Sequence, residues 1–172
     1  MQRFRTRLRT KAYRPDIDTS LTLDFLGMFD SGLDSRITFS RASVASYINS
    51  AGQMTLSSSG QPRFDYDPVT LARKGLLIES ARTNLLLNST INGANLATQS
   101  VSVTAQAYAL TFYGTGSITL SGAHVAVVSG TGAFPTRKQL LFTPSAGTLT
   151  LTVSGTVQYA QLEAGAFATS YI

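Results

Sequence analysis

The chain has 172 residues, enough for one full core or for one domain with an extended arm, and short for two independent domains. Hydrophobic residues make up 43% and charged residues only 13%, about half the usual charged share of roughly 25%. Ser, Thr and Gly fill the gap, a neutral profile unlike that of charged disorder. The absence of cysteine excludes thiol catalysis, disulfides and thiolate metal sites, and no apolar run approaches the roughly 18 residues that cross a bilayer.

The net charge of +5 is unevenly distributed. Arg3, Arg5, Arg7, Arg9, Lys11 and Arg14 carry six positive charges with no acid among them, and the remaining eight basic and nine acidic residues leave the body at −1. The arginines alternate with Phe4, Thr6 and Leu8, and a period of two fits an extended strand rather than an amphipathic helix. Such an arm, residues 1–20, suits an acidic groove, a sheet edge or phosphates, or it is a solvated tail. No aromatic platform or recognition fold accompanies it, so nucleic acid is not the expected partner. The segment also lacks the apolar stretch and cleavage site of a secretory signal.

Along the chain, Leu21, Leu23 and Phe25 alternate with polar residues and read as a first strand, and Ile37 and Phe39 begin another. Residues 45–48, the turn 49–52 and residues 53–56 read as a hairpin, with 57–60 as loop. Gln61 to Leu85 is charged, with Arg63, Arg73, Lys74 and Arg82 among Asp65, Asp67 and Glu79. Its expected form is a turn at Asp65-Tyr66-Asp67-Pro68 followed by a core strand at Gly75 to Glu79. From Asn84 to Thr136 there is no charged residue, only His124.

That neutral part repeats one pattern. Val101 and Val103, then Tyr108, Leu110 and Phe112, then Ile118 and Leu120, and later Leu149, Leu151 and Val153 alternate with small or hydroxyl residues, and glycines recur between them. Short alternating strands with turn signals at this spacing predict an all-β, antiparallel sandwich or jelly-roll-like body. Gly114-Thr115-Gly116 and Gly130-Thr131-Gly132 read as hairpin turns. The expected organisation is an arm, early strands and a charged linking segment over 21–85, and a neutral sandwich over 86–172 packed with 21–85 as one domain.

Few residues offer chemistry. A Ser-His-Asp arrangement would need His124, but no G-x-S-x-G elbow presents a nucleophile, and His124 reads as an ordinary strand residue. Asp65 and Asp67 fall on one side of an extended segment, about 7 Å apart. That spacing is compatible with an inverting glycosidase pair or half a calcium site. Arg63, Arg73, Lys74 and Arg82 are near enough in sequence to neutralise both acids, which favours a structural ion-pair network. No phosphate loop, H-E-x-x-H or EF-hand loop occurs, so neither an enzyme nor a cofactor is expected. Tyr108, Phe112, Tyr113 and Phe134 offer aromatic faces beside hydroxyls, a lining that suits a sugar, although the same alternation suits a core.

The segments ITFSRASVASYINSAGQM, PRFDYDPVTLARKGLLIESARTNLLLNS and QLEAGAFATSYI resemble a family of tailed-bacteriophage structural proteins with a head-spike or fibre domain. The resemblance spans about residues 21–172 and rests on separated motifs in the family's order. It places Arg41, Arg63, Asp65, Asp67, Glu79, Arg82, Asn84 and Glu163 at motif positions as structural framework, since the family pattern names no catalytic set. It implies a virion component on the particle exterior, assembled in the host cytoplasm: a head fibre, spike or tail decoration with a carbohydrate-binding-like β module. The partners implied are other virion proteins of the capsid, tail or portal surface, further copies of the chain, most simply as a trimer, and host surface glycan. Two departures favour docking over receptor recognition. Many relatives continue past TSYI, and many carry the module within a longer fibre.

Overall fold

The computed structural model describes residue 33, residues 37–89 and residues 94–172. The basic arm and the strand expected at Leu21, Leu23 and Phe25 lie outside the described residues. Among those residues the chain forms eleven strands, paired antiparallel, and no helix.

Two short hairpins come first. β1 (Ala45–Ile48) pairs with β2 (Met54–Ser57), and the turn between them forms because Asn49 Oδ1 accepts the backbone N–H groups of Ala51 and Gln53, both at 3.0 Å. β3 (Phe64–Tyr66) pairs with β4 (Arg73–Leu76). Their turn is closed by Asp67, whose Oδ1 accepts Val69 N–H at 3.0 Å and Thr70 N–H at 2.9 Å. The turn therefore begins later than the sequence pattern placed it, with Asp65 and Tyr66 still in strand. No strand forms at Ile37 to Phe39, where the backbone is irregular. The core strand expected at Gly75 to Glu79 ends at Leu76, and Ile78 is 75% exposed. Backbone pairing shifts from Leu76 to a single Leu77 N–H bonded to Arg63 O at 2.8 Å, and the chain then leaves the sheet.

Seven further strands build the body: β5 (Gln99–Val103), β6 (Tyr108–Tyr113), β7 (Ser117–Gly122), β8 (Ala126–Ser129), β9 (Lys138–Phe142), β10 (Gly147–Ser154) and β11 (Gln158–Ala164). They form a four-stranded sheet in the order β5-β10-β7-β8 and a three-stranded sheet in the order β11-β6-β9. The inward residues of both join one hydrophobic cluster: Leu110, Phe112 and Leu162 meet Ile118, Leu120, Leu149 and Leu151, all fully buried. Each such side chain contributes about 1.5–3 kcal/mol by burial. Two antiparallel sheets over a shared core are consistent with a β-sandwich.

The other side of the four-stranded sheet follows from the period of two. Ser100, Ser102, Thr119, Ser121, Thr148 and Thr152 are exposed there, and the hydroxyls of Ser100 and Thr150 bond across strands at 2.9 Å. The expected neutral, hydroxyl-rich surface is this face.

The two Gly-Thr-Gly segments are not separate hairpin turns. They pair with each other: Gly114 and Gly132 exchange backbone bonds of 2.6 and 3.1 Å, and Gly130 N–H donates to Gly116 O at 2.8 Å. A Cβ at Gly130 would overlap the Gly114 carbonyl, and one at Gly114 would overlap that of Thr156. Glycine is required there by backbone contact. His124 lies in the bend between β7 and β8 rather than in a strand, with its ring 4.6 Å from that of Phe142.

Candidate functional site

The outer side of the three-stranded sheet is covered, and its cover is polar. β11 places Ala160 and Leu162 in the hydrophobic core and turns Gln161 and Glu163 the opposite way, yet both of these are fully buried. The segment Thr169–Ile172 lies over them. Glu163 Oε1 accepts Thr169 N–H and Gln161 Nε2, each at 2.7 Å, while its Oε2 accepts the Thr169 hydroxyl at 2.7 Å. Ile172 N–H donates to Gln161 Oε1 at 2.8 Å. From the segment just before β9, Arg137 donates to Thr169 O and to the Thr111 hydroxyl, both at 2.6 Å.

The same segment is gripped from the hairpin side. Arg63 is 4% exposed. It lies 3.0 Å from Glu79 Oε2 and donates at 2.7 Å to Ser46 O and to the Ser170 hydroxyl. Ser46 N–H donates to Tyr171 O at 3.0 Å. Two guanidinium groups, of Arg63 and Arg137, thus face two carboxylates, of Glu79 and Glu163, around one four-residue strap. Charges so buried are tolerated because each is paired or hydrogen-bonded. Burial still lowers the Arg137 pKa, against the opposing pull of Tyr113, Glu163 and Glu79.

Other motif residues brace neighbouring elements. Asn84 Oδ1 accepts the N–H groups of Leu86 and Leu162, both at 3.1 Å, and its amide donates to Ala160 O and Ile172 O at 3.1 and 3.3 Å. Arg82 donates to Ala164 O at 2.6 Å and stacks its guanidinium over Phe167 at 5.1 Å. Arg41 reaches the loop after β2, donating to Ser57 O, Ser57 Oγ, Ser58 O and Gln61 O. Its pKa is lowered, first by burial and then by Arg63.

The two aspartates have separate tasks. Asp65 Oδ1 accepts Ile48 N–H at 2.8 Å and joins the two hairpins. Asp67 caps its own turn, is 3.5 Å from Lys74, and is held at a pKa of about 2, chiefly by the N–H groups of Thr70 and Val69. Arg63 and Arg82 neutralise neither of them, since Arg63 serves Glu79 and Arg82 serves a carbonyl. Among the described residues no group of three or more His, Asp or Glu gathers as a metal-binding set.

No protein-family model, no curated protein and no solved structure matches the chain.

The aromatic residues expected to offer a sugar face are mostly consumed by packing. Tyr108 is 3% exposed and stacks on Phe142, and Phe112 is wholly buried. Tyr113 is 7% exposed and lies between Phe134 at 5.5 Å and Tyr159 at 5.9 Å; burial raises its pKa, with Arg137 opposing. Phe134 is half-buried, and further half-buried aromatics lie at Tyr47, Phe64 and Tyr66 in the two hairpins, outside the main core cluster. Sequence reasoning passed over all three hairpin residues, of which Phe64 and Tyr66 flank charged residues. It also missed Gln161, Arg137 and the strap hydroxyls, although Gln161 and Thr169 stand within the closing QLEAGAFATSYI motif that carried Glu163.

Proposed function

We propose that the protein is a structural component of a bacteriophage virion, a head fibre, spike or tail decoration, docked on the particle through its basic N-terminal arm. What supports this reading is that Arg63, Glu79, Asn84 and Glu163, from two separated segments of the resemblance, all hold the Thr169–Ile172 strap or the strand beneath it. Residues that secure a fold are fully engaged with one another, which suits a rigid carrier and not a reaction centre. The finer architecture we read is jelly-roll-like, since the chain changes sheet at five of the six connections from β5 to β11, all but β7 to β8.

The arm's cations would seat in an acidic groove of a capsid, tail or portal protein, supplying register and steering more than affinity. The proposal includes self-association as a trimer, for which the exposed Val125 and Val127 beside the edge strand β8 are suitable contacts. Deleting Met1 to Arg14 is the test. Particles that lose the protein support docking by the arm, and particles that keep it at full occupancy overturn it.

A second reading, a glycan-binding adhesin module for host surface polysaccharide, is favoured by one observation: Tyr47, Phe64 and Tyr66 line open clefts. A glycan array on the full chain tests it, and uniform silence would end it.

A further inference from the structure

Strand alternation in β3 sends Phe64 and Tyr66 to one side and Asp65 to the other, and a cleft opens on each side. The first, of about 240 Å³, is lined by Tyr47, Met54, Asp65, Tyr113, Arg137 and Tyr171. The second, of about 280 Å³, is lined by Tyr47, Asn49, Pro62, Phe64, Tyr66 and Arg73. Both fall just under the lower end, about 300 Å³, of ordinary small-molecule pockets, so each is sized for one ring. Tyr47 lines both.

We propose that the first cleft is a subsite for one ring of a neutral saccharide, with Tyr47 in its wall. The inference rests on the glycan-binding reading and gives it a location and a ligand class. Pyranose rings combine an apolar face of C–H groups with an edge of hydroxyls. The first matches an aromatic side chain and the second a carboxylate. Tyr47 makes no ring–ring contact among the described residues, unlike Tyr113, Tyr159 and Tyr171, which pack on one another.

Asp65 supplies the polar anchor. Its Oδ1 is held by Ile48 N–H, which fixes the carboxylate on the rigid β1–β3 contact, and its Oδ2 accepts no hydrogen bond among the described residues. An anchored carboxylate with one oxygen uncommitted, beside a cleft, is a pre-positioned acceptor for a pair of sugar hydroxyls. Asp65 and Glu79 both border this cleft, with Arg137 as its one cation. That balance disfavours a uronic acid and selects a neutral sugar.

The full chain is titrated by calorimetry with lactose, maltose, cellobiose and diacetylchitobiose, with their constituent monosaccharides, and with a glucuronic-acid disaccharide. The expected result is saturable binding of at least one neutral sugar. Asp65→Asn keeps an oxygen for Ile48 N–H but turns the uncommitted acceptor into a donor. It and Tyr47→Ala should each weaken binding by about tenfold or more, with thermal melting verifying the fold. Ser102→Ala on the hydroxyl face should leave binding unchanged. If the chain binds a neutral sugar and both hairpin variants bind it equally well, the location is overturned while the glycan reading stands. If the acidic disaccharide binds as tightly, the ligand class is overturned. If the chain binds none of the probes, the glycan reading falls and the subsite with it.

Discussion

Ser170 bonds Glu79 twice, its backbone N–H donating to Oε1 at 2.6 Å and its hydroxyl to Oε2 at 2.5 Å. The same carboxylate pairs with Arg63, so one side chain joins the strap, the hairpins and the only cation that reaches them both among the described residues. Glu79→Ala leaves the Arg63 charge buried without its counter-ion, a change that costs about 3–5 kcal/mol when one member of a buried pair is removed. Ser170→Ala removes a hydroxyl bonded to both Arg63 and Glu79 but leaves that pair intact, and should cost less, about 1.5–3 kcal/mol. Urea denaturation of both variants, read as the shift in midpoint at constant slope, checks the ratio.

Gly130→Ala should be far more damaging than its chemistry implies. The added methyl has nowhere to go but into the Gly114 carbonyl, which is itself fixed by pairing to Gly132. A loss of at least about 3 kcal/mol is expected, since backbone cannot repack as a side chain does. Thermal melting of Gly130→Ala beside Thr131→Ala, which changes an exposed neighbour, separates the contact from the general sensitivity of the segment.

Asp67 sets an acid limit. Its folded pKa is about 2, below the ordinary carboxylate value. The unfolded chain therefore takes up the proton first, and the stabilisation, present above about pH 4, is lost as pH falls toward 2. Asp67→Asn retains an oxygen for Val69 and Thr70 but does not titrate. Its melting temperature should fall less steeply between pH 4 and pH 2 than that of the parent chain, and parallel curves would refute the assignment.

Leu110→Ala opens a cavity where both sheets meet and should cost about 2–5 kcal/mol. Ile78→Ser, at an apolar residue that is largely exposed, should stay within about 0.5 kcal/mol. Equilibrium unfolding of the two tests the boundary between core and surface directly.

The contrast between Leu110 and Ile78 also shows what local pattern can reveal. Strands with hydroxyls on one side and Leu, Ile or Val on the other, such as β7 and β10, were legible because one face is dry and one wet. β11 was not legible, because both of its faces are buried and the second is filled by Gln161 and Glu163 instead of apolar residues. A bulge between Gln158 and Gln161 further breaks its alternation. Ile78 misled for the converse reason, as part of an apolar run that ends outside the sheet. Arg63, Glu79, Asn84 and Glu163, at motif positions, bond to the strap or to the strand beneath it. Their convergence was not legible, because it depends on partners such as Arg63 and Ser170, 107 residues apart. The half-buried aromatics Tyr47, Phe64 and Tyr66 carry no periodic signal that separates them from core.

The strap gives the protein a timetable. Glu79 leaves the ribosome 91 residues before Ser170, which at about 5–20 residues per second is roughly 5–20 s. Throughout that interval the hairpins hold Arg63 and Glu79 without the segment that seals them. β10 and β11, which complete the two sheets, emerge only shortly before Thr169–Ile172, so the sandwich and its charged centre close in quick succession.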